Sequence, residues 1–175
     1  MWAIRRRRLK DLALETAFHE LPSAPTTPAP IEVTGVQVSQ DKKIGATVTI
    51  ENTGSQSVTG DFYTTIFYAK ELSDSSDNPE KDAQTWFEEK EAHDVDAELL
   101  MTLNPGDTHT FDAFCGVPAS SNDWAEGDKI DAGVCLIMIQ DTTRTVLDSL
   151  KITDAVEIVA PALRVEIIDV TFSEA

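Results

Sequence analysis

The sequence predicts an all-β chain, an antiparallel β-sandwich with an N-terminal amphipathic helical arm and a short helical insertion. Three observations point there. From Ile31 onward apolar residues recur at every second position, as in half-buried strands. Turn signals such as Asn52-Thr53-Gly54-Ser55 and Asn104-Pro105-Gly106-Asp107 punctuate the alternation at the spacing of an antiparallel sandwich or barrel. Before it, a helix-period stretch ends in a cluster of prolines. At 175 residues and 41% hydrophobic, the chain suits one domain with a real core plus an appendage.

Residues 1–21 read as the arm. Leu9, Leu12, Ala13 and Ala17 form one apolar stripe; Leu14, Phe18 and Leu21 form an overlapping one. With Trp2 and Ile4 they make an apolar face too broad for water alone, so the arm needs a partner surface. Arg5, Arg6, Arg7 and Arg8 are consecutive and must fan around the helix start. The basic start resembles a secretory signal, but Lys10, Asp11, Glu15, His19 and Glu20 interrupt the apolar core that a signal requires. Residues 22–30 form a stiff, Pro-rich linker.

The sandwich is expected over residues 31–160. Val36 and Val38 alternate with polar neighbours, then Ile44, Ala46, Val48 and Ile50. Phe62, Thr64, Ile66 and Tyr68 share one face of the next strand. Val95, Ala97, Leu99, Met101 and Leu103 alternate cleanly with Asp96, Glu98, Leu100 and Thr102. Thr110–Val117, Ile130–Gln140 and Thr145–Val159 complete the set, the last as one or two strands. Residues 71–93 are an acidic insertion with helix signals: Asn78 as cap, Pro79 at the first position, Glu80 and Asp82 at the positive end of the dipole. A connection this long usually has a task. Its Trp86 and Phe87 either cover the end of the sandwich or offer a contact surface.

Charge divides the chain. The formal net charge is −17, yet residues 1–20 carry five bases and three acids, a net +2. Residues 21–175 carry nine bases and 28 acids, a net −19. Such a body repels phosphates and anionic lipid, which leaves Arg5–Arg8 as the only place for nucleic acid. No stretch reaches the roughly 18 apolar residues of a membrane span. Eight lysines among 175 residues against 31 acids is also a halophilic composition.

The segment Ala46–Ser55, followed by Gly60–Tyr68, resembles the adhesion-related CARDB-like and FxLYD-like modules, whose strands meet at an N-x-G turn. Leu103-Asn-Pro-Gly-Asp-Thr-His-Thr-Phe111 looks like their L-x-P-G-x-T-x-T-F strand. The resemblance spans roughly residues 33–159 and implies an immunoglobulin-like β-sandwich. Its members are usually secreted repeats, and this chain differs in its long insertion. The chain also echoes itself: Ile31–Ser39 aligns with Val165–Ser173, at an offset of 134 residues. Residues 161–175 thus read as a C-terminal strand, an ordinary last strand or one added to a neighbour's sheet edge through Val165, Ile167, Val170 and Phe172.

Catalytic signals do not emerge. The chain contains no HExxH, CxxC, GxSxG, P-loop or GxGxxG pattern, so no catalytic residue, zinc site or cofactor is expected. Asp74, Asp77, Asn78 and Asp82 offer oxygen ligands for calcium, but lack the spacing of a calcium loop and read first as a solvated acidic segment. Cys115 and Cys135 read as two buried thiols or one cross-strand bridge. The expected role is a non-enzymatic structural subunit whose basic arm and C-terminal strand dock on other copies or other subunits. A virus particle of the tailed kind is the leading setting. The alternative is a cell-surface or secreted adhesion module that binds protein or carbohydrate.

Overall fold

A computed structural model describes residues 31–40, 43–112 and 123–159. The predicted arm, linker and C-terminal strand lie outside them, as does the predicted strand beyond Asp112. The described residues form β1 (Ile31–Gln40), β2 (Ile44–Asn52), β3 (Val58–Ala69), α1 (Pro79–Glu89), β4 (Ala92–Leu103), β5 (Thr108–Asp112), β6 (Lys129–Gln140) and β7 (Thr143–Glu157). Two antiparallel sheets result, β1-β2-β5 and β4-β3-β6-β7. The predicted Thr145–Val159 segment is a single strand, with a register shift between Leu136 and Ile137 of its partner β6.

Alternation builds the core. Ile44, Ala46, Val48 and Ile50 of β2 meet Phe62, Ile66 and Tyr68 of β3 and Ile130, Ala132, Val134, Leu136 and Met138 of β6. Burial of each large apolar side chain is worth about 1.5–3 kcal/mol. One end of the sandwich is pinned by Asn52, which is fully buried. Its amide donates to Gln56 O at 2.8 Å and Leu103 O at 2.9 Å, and its Oδ1 accepts Gly54 N–H at 3.0 Å. The 104–107 turn docks on the same residue, with Gly106 N–H donating to Asn52 O at 2.8 Å. Gly106 has φ +79°, which a side chain would oppose.

The other face of the four-stranded sheet is apolar too. Phe67 and Ala69 of β3, Cys135 and Ile137 of β6, Val95 and Val146 gather beneath Leu72, Ala83 and Trp86 of the insertion. Helix α1 forms where its signals predict: Asn78 Oδ1 accepts Lys81 N–H at 3.2 Å and Pro79 opens the first turn. Of the two expected roles Trp86 takes the covering one, fully buried against the sheet, and it does so across the sheet's face rather than at the sandwich end. Gly133 makes this possible, because a Cβ there would fall 2.6 Å from Trp86 Cε3. The indole Nε1 donates to Ser73 O at 2.9 Å, and Phe87 meets Phe67 edge-on at 6.3 Å.

Strand β4 departs from its predicted alternation. Gly60 pairs with Met101 and Phe62 with Glu98, so Leu99 and Leu100 both stand opposite the single residue Asp61. The extra residue in that bulge splits the alternation between two faces: Val95 packs beneath α1, Met101 and Leu103 pack in the inter-sheet core, and Leu99 and Leu100 between them are exposed.

Gly133→Ala places a methyl group inside the Trp86 ring, and the backbone on one side and α1 on the other must yield. We expect a loss of about 2 kcal/mol, read from the urea midpoint, with a shifted tryptophan emission.

Candidate functional site

Asp74, Asp77, Asn78 and Asp82 are used by the fold in separate ways. Asp74 reaches Lys151 Nζ at 3.0 Å, Asn78 caps α1, and Asp77 is exposed. Asp82 is buried; its Oδ1 accepts Ser76 N–H at 2.8 Å and Ser76 O–H at 2.7 Å, and its Oδ2 accepts Ser149 O–H at 2.7 Å. Among the described residues no group of three or more His, Cys, Asp or Glu is placed to hold a metal ion.

These contacts belong to a polar latch that fastens the insertion to β7. Arg144, buried at the start of β7, pairs with Glu80 of α1. Lys151 donates to Leu72 O at 2.6 Å and lies 3.3 Å from Asp131, whose Oδ2 also accepts Leu72 N–H at 3.2 Å. Burial alone would depress the Lys151 ammonium, but hydrogen bonds to Asp74 and Asp131 outweigh it and hold its pKa above the usual lysine value. Lys70 pairs with Asp128, Lys129 with Asp154, and Lys90 donates to Phe87 O at 2.6 Å. Lys70, Lys90, Lys129, Arg144 and Lys151 are therefore engaged within the body, while many carboxylates face outward. Exposed pairs of this kind contribute only about 0–1 kcal/mol each, so their main effect is on the charge left at the surface.

The bulge of β4 is the one place in the described residues where this anionic surface becomes apolar over two adjacent side chains. Leu99 is 60% and Leu100 82% exposed. Leu100 has φ +54°, a left-handed conformation that costs an L-residue about 1–2 kcal/mol. Asp61 holds it there, Oδ1 accepting Leu100 N–H at 2.8 Å. Beside it runs a groove of about 380 Å³, lined by Thr59, Gly60, Asp61, Leu100, Ile139, Gln140 and Asp141. Ile139 follows Ile137 by two residues and shares the sheet face that α1 covers further along. Asp141, at its rim, is exposed. Burial raises the Tyr63 phenol, and the Asp61 carboxylate raises it further. The sequence alternation hid this patch, since a bulge leaves no mark in apolar periodicity.

Cys135 is a free, fully buried thiol beneath α1. Burial raises its pKa well above the ordinary thiol value, with Asp82, Asp148 and Glu80 adding to the shift, so it is an unreactive thiol in the closed structure. Cys115 lies outside the described residues.

Two expectations follow from these groups. A raised Lys151 pKa stabilises the fold fully below the unfolded value near pH 10.5, and the contribution fades as pH climbs through the folded value. Tyr68, raised by burial and then by Asp94, acts with the same sign. Urea midpoints should therefore hold up to about pH 10 and fall as pH rises beyond it, and Lys151→Met should remove the part of that fall that sets in above pH 10.5. Leu100→Gly removes the left-handed penalty at the expense of unfolded-chain entropy, for a net gain of roughly 0.5–1 kcal/mol in the same assay.

No protein-family model and no curated protein sequence matches the chain. Among solved structures the chain is similar to part of a Bacteroides uniformis β-glucuronidase, 13% identical with a TM-score of 0.42. The match covers 71% of this chain and 14% of the glucuronidase, so the chain spans a small part of that protein.

Proposed function

We propose that the chain is a non-enzymatic structural subunit of a larger assembly, an immunoglobulin-like sandwich that docks its basic arm on the acidic body of neighbouring subunits. One observation carries the reading: five of the nine cations in residues 21–175, Lys70, Lys90, Lys129, Arg144 and Lys151, are engaged within the body, which leaves its carboxylates in large surplus, and Arg5–Arg8 is the densest run of positive charge on the chain. Opposite charges on one chain are self-complementary between copies. The order β1-β2-β5 against β4-β3-β6-β7 supports the immunoglobulin-like assignment, as does the N-x-G turn in which Asn52 Oδ1 accepts Gly54 N–H. The C-terminal strand, residues 161–175, is the second proposed contact, by addition to a sheet edge. A virus particle assembled in a high-salt host is the proposed setting, by fold-level analogy and by the acidic excess.

Analytical ultracentrifugation of the full chain beside chains lacking residues 1–28 or 161–175 tests the reading, at low and molar salt. We expect an oligomer from the full chain and its loss on removal of the arm. Three identical monomers would end the assembly reading, and a thermal midpoint unchanged by salt would end the halophilic one.

A further inference from the structure

Resting on the assembly reading above, we propose that the groove beside Leu99 and Leu100 receives the apolar stripe of the basic arm, residues 2–21, of a neighbouring copy. The patch is held in place by the fold: two residues bulge opposite Asp61, and that carboxylate fixes Leu100 in a left-handed conformation. Strain of this kind persists where the surrounding structure over-determines it, and it clusters at sites of recognition. The result lifts two leucines clear of an otherwise charged edge strand.

Charge selects the occupant. Asp61 and Asp141 line the groove, and an apolar segment that lies there should bring cations. The arm has that composition, with Arg5–Arg8 immediately before Leu9 and the Leu14–Phe18 stripe. A helix laid in a groove with its apolar face down and its cations at the rim is a recurrent mode of recognition. It would also extend the layer that α1 already forms on this sheet.

Other occupants fit less well. A second β4 edge would bring Asp94, Asp96 and Glu98 against their own copies. The C-terminal segment carries Glu166 and Asp169, and it leaves from the opposite end of the sandwich, where Val159 N–H is tied to Gln40. Ile31 enters beside Asn52, and Asn52 bonds Leu103, so the arm's linker begins at the groove end. Four prolines within residues 22–30 make that linker a stiff spacer of up to about 28 Å, at about 3.1 Å per residue.

The test uses the full chain with benzoylphenylalanine in place of Leu100, mixed with isotope-labelled wild-type copies and irradiated. We expect adducts on residues 1–21 of the other copy. Adducts on the same copy's arm, on residues 160–175 or on another body surface would overturn the assignment. In parallel, Leu99→Glu with Leu100→Glu changes only exposed side chains and should weaken association by about tenfold or more. If that variant assembles like the wild type while removal of residues 1–28 abolishes assembly, the groove is wrong and the assembly reading stands. If the wild-type chain is itself a monomer that the arm's removal leaves unchanged, both fall.

Discussion

Strand β6 is buried on both faces, and the rest of the molecule answers that constraint. From Ile130 to Met138 its side chains point alternately into the inter-sheet core and onto the opposite face, and none reaches water. A sheet with such a central strand cannot end a two-layer sandwich. The insertion between β3 and β4 supplies the third layer. Gly133 sits at the centre of this arrangement, where the absence of a side chain lets Trp86 lie flat on the backbone. The polar latch of Asp82, Ser149, Arg144, Glu80 and Lys151 then fixes the helix along the edge of the same sheet.

The latch has a second effect, on charge. A body with few bases uses them as fasteners, and the carboxylates without such partners remain outside. Surface potential is thereby a by-product of how the helical layer is attached. The apolar bulge on β4 stands out against that background because edge strands usually avoid it. A flat, exposed edge invites pairing with other chains, and bulges and charges are the usual protection. Here the bulge both interrupts the ladder and lifts two leucines out, so protection from strand pairing and presentation of an apolar contact come from one backbone feature.

Much of the fold was legible in the residues. Period-two alternation located β2 and β3; Asn78-Pro79 located α1; and the Asn52 and Asn104–Asp107 turns formed as read, because each depends on side chains that bond their own local backbone. Three things were not legible, for physical reasons. Gly133 reads as a weak point in a strand until Trp86 is seen against it. Val95, Ala97, Leu99 and Met101 read as one alternating set, and only the pairing partner reveals two residues opposite one, which sends Val95 and Met101 to opposite faces. The acidic run from Asp74 to Asp82 looks like a solvated loop, because the Ser149, Lys151 and Arg144 contacts that organise it lie about 70 residues away. Local chemistry could be read, and contacts set by the sheet's far side could not.

The position of Cys135 has a consequence of its own. It lies on the covered face of β6, under the helix, with its thiol strongly disfavoured from ionising. A reagent in solution meets it only when the helical layer lifts from the sheet. The rate at which that sulfur becomes modifiable therefore measures a local opening equilibrium, separate from global unfolding. The molecule thus carries, in one atom, a gauge of how firmly its third layer is attached to the other two.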